Sequence, residues 1–215
     1  LERVRSPDGV ETLRVTDAGI VTLAQVFATN KAARNPHEAL VEQVAQSMGR
    51  AGRLAWRGLM LRARVPLALF GVEDIPAPEA PPLIAGEPAP AYQAGSEHAW
   101  VMACPDVFSI RRSTVEAYLE PVVHEIKVSR ADLLGDIKKP AKRAAYLDMA
   151  GACWYVLGED GRGRAIGDPT EVPSECGVML VDRGVLRVAR EAPRRAIERL
   201  PFHVWMTLAH AGSPW

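Results

Sequence analysis

Between Pro121 and Leu157 the chain reads as a strand, two helices and a strand, and no other stretch constrains the fold as tightly. "PVVHEIKV" (121–128) is apolar and β-branched enough for a buried strand. Ser129 then stands as the N-cap of "RADLLGDIKK", with Asp132 three residues on in a capping-box arrangement. Pro140 breaks that helix and opens a second, "AKRAAYLDMAGA", because a proline ring fits the first turn of a helix and not its interior. "CWYVL" (153–157) follows as a short buried strand. Strands separated by helices have to bury one face of each against the other, which predicts a mixed α/β sheet with helices packed on its faces.

The flanking segments extend that sheet. "AWVMACPDVFSI" (99–110) reads as one further strand, and "RLAWRGLMLRARV" (53–65) alternates well enough for another, with Arg57, Arg62 and Arg64 exposed. Before them, "NPHEALVEQVAQSMGRAG" (35–52) predicts a helix that Pro36 opens and Gly49 or Gly52 closes, with Leu40, Val41, Val44 and Met48 as its apolar stripe. "GVMLVDRGVLRVAR" (177–190) predicts a hairpin turning at Asp182-Arg183-Gly184. The tail, "APRRAIERLPFHVWMTLAHA" (192–211), reads as helical with an interruption at Pro201. "GEDGRGRAIGD" (158–168) has many glycines but the wrong spacing for a dinucleotide loop, and reads as a turn. Residues 66–98 hold seven prolines and no apolar periodicity, which predicts a loop-like insertion and not a sheet strand.

Residues 1–35 form a separate small unit. "LERVR" and "VETLRV" predict two strands around the turn "SPDG", and Thr16 or Asp17 caps a helix with Ile20, Leu23, Ala24 and Phe27 on one face. A charged hairpin followed by an apolar helix resembles the wing and last helix of a winged-helix DNA-binding domain. The recognition helix of such a domain would lie upstream of Leu1. A structural hairpin packed on the next domain is the alternative.

Composition narrows the function classes. The formal net charge is zero over 215 residues, so nucleic-acid contact has to come from local clusters. The longest apolar runs, such as Val65–Val72, are far too short for a bilayer span, which excludes a membrane partner of that kind and points to a cytoplasmic protein. Cys104, Cys153 and Cys176 are odd in number and widely spaced, with no zinc pattern and no disulfide framework.

The predicted strand at 121–128 carries the chemistry. Residues two apart on a strand share a face, so Glu125 and Lys127 point together while Ile126 points oppositely. Burying either charge alone is costly, so both need partners or a cleft. Lysine is scarce, 5 against 21 arginines, and four of the five fall between Lys127 and Lys142. The preceding strand holds Pro105-Asp106, a carboxylate that an adjacent strand could bring beside Glu125. An Asp–Lys–Glu ion-pair network at a sheet end would account for the same residues.

Pro105-Asp106 on one strand and Glu125-Ile126-Lys127 on the next resemble the motif of the PD-(D/E)XK nuclease superfamily. More closely, "VVHEIKVSRADLLGDIKKPAKRAAYLDMAGACWYVL" and "EVPSECGVMLVD" are similar to the MmcB-type DNA repair nucleases, over roughly residues 37–190. The resemblance implies a restriction-endonuclease-like mixed β-sheet flanked by helices over 36–215, with residues 1–35 as an appendage. It implies a Mg²⁺-dependent deoxyribonuclease, an endonuclease rather than an exonuclease, in which Mn²⁺ could substitute. Asp106 and Glu125 would be metal ligands with the Ile126 carbonyl as a third, and Lys127 the catalytic cation. Such carboxylate and carbonyl oxygens are the hard donors Mg²⁺ takes. Glu38, or Glu42 one turn on, would supply the further acid that related nucleases place on the preceding helix. Removing Asp106 or Glu125 is expected to relieve repulsion between the carboxylates.

DNA is the expected partner, and a homodimer the expected assembly. Arg130, Lys138, Lys139, Lys142 and Arg143 cluster just after the acid–lysine strand, and Arg111 and Arg112 follow the Asp106 strand; all seven could meet phosphates. A non-catalytic DNA-binding regulator with a degenerate nuclease-like fold is the alternative function.

Overall fold

The computed structural model describes residues 2–5, 11–70 and 97–211. The chain divides into two compact units, Leu1–Ala39 and Leu40–Trp215.

In the first unit, β1 (Glu2–Arg5) pairs antiparallel with β2 (Glu11–Arg14), as the sequence predicts; the "SPDG" turn lies outside the described residues. Thr16 is the cap of the following helix, its Oγ1 accepting the Gly19 N–H at 3.2 Å. Ile20 and Leu23 of the expected apolar face are about half exposed, and the side chains of Ala24 and Phe27 lie outside the description. One helix, α1 (Asp17–Arg50), runs through Pro36 where the sequence predicts a new start. A proline costs one backbone hydrogen bond and kinks a helix without always ending it.

The second unit is a mixed α/β structure built on a six-stranded sheet. Its strands are β3 (Arg53–Arg57), β6 (Val107–Arg111), β7 (Val122–Lys127), β8 (Ala152–Leu157), β9 (Gly177–Asp182) and β10 (Val185–Arg190). They lie in the order β10-β9-β8-β7-β6-β3, with β7, β8 and β9 mutually parallel and the other pairs antiparallel. A separate pair joins β4 (Leu61–Pro66) to β5 (His98–Ala103).

Two predicted strands are therefore each two. The 53–65 stretch breaks at Gly58, whose φ of +60° suits glycine and whose N–H donates to the Asp106 carbonyl at 3.2 Å. The 99–110 stretch breaks at Cys104-Pro105-Asp106, where Pro105 offers no ladder donor and the chain passes from one sheet to the other. Pro66 and His98, at the ends of the expected insertion, pair with each other across β4 and β5, so these ends are strand and not loop. Residues 71–96 lie outside the described residues.

The two helices around the site start where the sequence places them, and each ends three residues short of the predicted stretch. Of the expected capping box only the Ser129 side-chain bond forms. Ser129 Oγ accepts the Asp132 N–H at 3.2 Å and caps α2 (Arg130–Asp136); Pro140 opens α3 (Pro140–Met149). The β9–β10 turn uses Arg183 and Gly184, both at positive φ. The tail differs: residues 191–201 are not helical, and α4 spans only Phe202–His210. Ala192 and Leu200 are buried, and the Arg195 N–H is taken by the Gly151 carbonyl at 2.8 Å, so docking overrides helix propensity there.

The sheet separates two cores. On one face Leu40, Val41, Val44 and Ala45 of α1 pack on Ala55, Val107, Ile126 and Val156. On the other, Tyr146 and Met149 of α3 join Phe108, Val123, Tyr155 and Leu157. No helix among the described residues is long and apolar enough to cross a membrane.

Candidate functional site

Alternation along β7 decides what faces what. Ile126 goes into the α1 core, so Glu125 and Lys127 face the side of α2 and α3, and both are buried, at 3 % and 4 % exposure.

Each charge has partners. Glu125 Oε1 accepts from Lys127 Nζ at 2.8 Å and from Lys142 Nζ at 2.6 Å, while Oε2 accepts from the Tyr146 hydroxyl at 2.7 Å. Lys142 Nζ also donates to Asp136 Oδ1 at 2.6 Å, so this ammonium bridges two buried carboxylates. The other Asp136 oxygen accepts from the Tyr155 hydroxyl at 2.7 Å. Lys127 lies 3.2 Å from Asp132 and 3.5 Å from Asp136. Two lysines and two tyrosines thus serve three carboxylates across β7, β8, α2 and α3.

Asp106 enters from the side. Its Oδ2 accepts the Ile126 N–H at 2.7 Å. The β6–β7 ladder ends at the Val107↔His124 pair, and beyond it this carboxylate takes the place of the missing backbone partner. It therefore clasps the residue between Glu125 and Lys127. Burial, then the nearby Glu125 charge and its hydrogen bond, and then the Asp106 charge, raise the Tyr146 pKa and keep the phenol protonated.

Electrostatics hold the lysines charged. Burial pulls the pKa of Lys127 down, but Glu125, Asp136 and Asp132 outweigh it, leaving the pKa above the ordinary lysine value. Lys142 is raised against the same burial by Glu125 and Asp136. Asp136 is lowered: burial pushes it up, and hydrogen bonds from Lys142 and Tyr155 more than offset that. The raised lysines stabilise the fold fully below the ordinary lysine range and lose that contribution as pH rises through their raised values. The lowered Asp136 contributes above the ordinary aspartate range and loses its contribution as pH falls through the lowered value. The stability gap between the wild type and Asp136→Asn should accordingly be widest near neutrality and narrow below about pH 4. Urea denaturation of both proteins from pH 3 to 8 measures this, and a gap that widens in acid would contradict it.

The remaining candidates are spread out. Glu38, in the first unit, is exposed and lies 3.5 Å from His37. Glu42 accepts from Gln46 at 3.1 Å and lies 3.8 Å from Arg57. Among the phosphate-binding candidates, Lys142 belongs to the buried network. Arg143 does not face solvent; it is 7 % exposed and bonds Glu175 at 2.8 Å and the Ile137 carbonyl at 2.7 Å. Arg130 forks onto Glu171. Lys138 and Lys139 are exposed at the turn between α2 and α3. Arg111, paired with Glu120 at 2.9 Å, ends β6 and Arg112 follows it, roughly 16–20 Å along the strand from Asp106 at 3.3 Å per residue.

Sequence reasoning missed Asp136, Tyr146 and Tyr155. A partial signal existed: Lys142 and Tyr146 are four apart on one helix, which puts them on one face, and the ammonium lies 5.6 Å from the ring centroid.

The oxygens of Asp106, Glu125 and Asp136 have the chemistry a hard divalent cation prefers. Lys142 Nζ stands between two of these carboxylates, so an ion there has to displace it. Its side chain is 30 % exposed on a flexible stem, which gives it somewhere to go. Among the described residues no group of three or more His, Cys, Asp or Glu side chains is arranged to hold a metal ion. The carboxylates have suitable chemistry, and an ion at Glu125 needs Lys142 moved.

No protein-family model matches the chain, and no curated protein matches it. Among solved structures, it is similar to the SPO1766 protein of unknown function from Silicibacter pomeroyi, at 19 % identity and a TM-score of 0.40, over 78 % of this chain and 80 % of that one.

Proposed function

We propose that the chain is a metal-dependent DNA nuclease of the PD-(D/E)XK type, similar to MmcB-type proteins and acting in DNA repair or processing. The observation that carries this reading is the clasp on β7: Glu125 and Lys127 buried on one face, with Asp106 bonded to the peptide N–H between them. A strand end that keeps a carboxylate and an ammonium side by side at such desolvation cost is an arrangement functional sites use.

Asp106, Glu125 and the Ile126 carbonyl would hold a Mg²⁺ or Mn²⁺ ion, which when bound polarises a phosphate and lowers the pKa of a coordinated water. Lys127 is the protein's own contribution. Its raised pKa keeps it cationic at any physiological pH, and the Glu125 and Asp132 contacts aim its Nζ. An ammonium fixed there balances negative charge developing on a phosphate. Lys138 and Lys139, exposed at the α2–α3 turn, would meet backbone phosphates in this reading.

Lys142 would compete with an ion for Glu125, the one proposed ligand it bonds. Lys142→Ala should lower stability in EDTA, since Asp136 and Glu125 lose a cation, and should bind Mn²⁺ more tightly than the wild type. Melting with and without Mn²⁺ tests this: the expected result is a larger Mn²⁺-induced rise in Tm for the variant, and an equal or smaller rise contradicts it.

A second reading has its own support. Both oxygens of Glu125 are already satisfied, as a closed ion-pair network without catalysis requires. That network would suit a DNA-binding regulator. The Mn²⁺ response of Lys142→Ala separates the two, because a purely structural network gains nothing from the ion.

A further inference from the structure

The opposite face of β7 carries a second feature that the nuclease reading does not use. Val122 and His124 point away from Glu125, and with Ala152 and Trp154 of β8 they floor a cavity of about 540 Å³. Met48 of α1 closes one side, and the extended run from Ala192 to Glu198 closes another. That run is anchored and not a loose loop. The Arg195 N–H bonds the Gly151 carbonyl at 2.8 Å, and the Gly151 N–H bonds the Pro121 carbonyl at 2.9 Å. A side chain at Gly151 would meet the Arg195 carbonyl at 2.5 Å, so glycine is required for this closure.

Two observations point to a ligand. His124 is 1 % exposed and lines the cavity, yet its Nδ1 has no hydrogen-bond partner among the described residues. Buried polar atoms are rarely left so, and a ligand would satisfy this one. Four arginines, Arg53, Arg111, Arg194 and Arg195, border the same space, against Glu120 and Glu198. Arg111 takes Glu120 at 2.9 Å, and Arg53 is committed to Ser109 at 3.0 Å and to the Glu120 carbonyl. Burial, and the Arg111 and Arg194 charges beside it, bring the Arg53 pKa down to about 10 despite the opposing pull of Glu120. Cations that repel one another around a concave, partly apolar space favour an anion between them.

We propose that this cavity binds a small organic anion with a flat, hydrogen-bonding body, of the mononucleotide or aryl-carboxylate kind. The anionic group sits at Arg194 and Arg195, since guanidinium forks match phosphate and carboxylate geometry. The flat body lies against Trp154, Met179 and Met48, and its polar edge meets His124 Nδ1. The volume is in the usual range for a small-molecule site, roughly 300–1,000 Å³.

Calorimetric titration in EDTA tests this, with nucleoside 5′-monophosphates, indole-3-carboxylate and inorganic phosphate as probes. EDTA removes any metal-dependent binding at Glu125. The expected result is saturable binding of a mononucleotide or of the indole carboxylate, at least tenfold tighter than inorganic phosphate. Which of the two binds identifies the source of the anion. Ala196→Trp, which fills the cavity from an exposed rim position, should abolish binding, and Arg194→Ala/Arg195→Ala should weaken it at least tenfold. Lys127→Ala, on the other sheet face, should bind like the wild type whether or not the nuclease reading holds. Binding no tighter than phosphate, or binding that survives in folded Ala196→Trp, overturns the proposal.

Discussion

Glu125→Ala should lower unfolding stability by about 3–5 kcal/mol in metal-free buffer, the loss usual when one partner of a buried ion pair is removed. The site explains the size. Both Glu125 oxygens are occupied, by Lys127 and Lys142 on one and Tyr146 on the other, and the carboxylate is 3 % exposed. Removal leaves two ammoniums with Asp136 and Asp132 as their remaining acceptors, and a buried phenol whose other acceptor, the Cys104 carbonyl, is a longer 3.3 Å away. This reverses the expectation drawn from sequence, in which repulsion between carboxylates made their removal favourable. The lysines around Glu125 turn the balance the other way. Urea denaturation in EDTA measures the change. Unaltered or increased stability would mean that repulsion dominates after all.

How far the sequence could be read depends on the range of the interactions. Ser129 and Pro140 act within a turn of themselves, and their helices start where these residues place them. The wholly buried β8 is equally visible as an unbroken apolar run. The breaks at Gly58 and at Cys104-Pro105-Asp106 are marked locally only by one glycine and one proline, which a bulge or an edge strand also tolerates. Pairing with different sheets is what divides each stretch. Residues 191–200 look helical and are not, since Arg195 is held by Gly151, 44 positions earlier. At the site, the shared face of Glu125 and Lys127 followed from a period of two. The Asp136–Lys142–Glu125 bridge did not, because it depends on how two short helices meet at Pro140. Lysine scarcity marks the region, but a charge run after a strand points equally to phosphates, and nothing in it shows that Lys142 and Arg143 pair with Asp136 and Glu175.

The second large effect concerns Lys127. Loss of a fixed cation at a developing phosphate charge costs about 10²–10³-fold in rate, by analogy with other preorganised donors. Lys127→Ala also weakens the fold, though less than Glu125→Ala, because Lys142 still contacts both buried carboxylates. Lys127→Arg keeps the charge and so isolates chemistry from folding. A planar guanidinium cannot put a compact ammonium's charge at the same point, so the variant should fold and remain inactive.

The deciding measurement is cleavage of plasmid and linear DNA by the wild type, Lys127→Ala and Lys127→Arg, each confirmed folded by circular dichroism, with Mg²⁺, Mn²⁺ or EDTA. The account predicts wild-type cleavage that needs the divalent ion, at least a ~10²-fold loss in Lys127→Ala, and no rescue by Lys127→Arg. Full cleavage by Lys127→Ala, or a wild type that cuts no DNA with either ion, would contradict it.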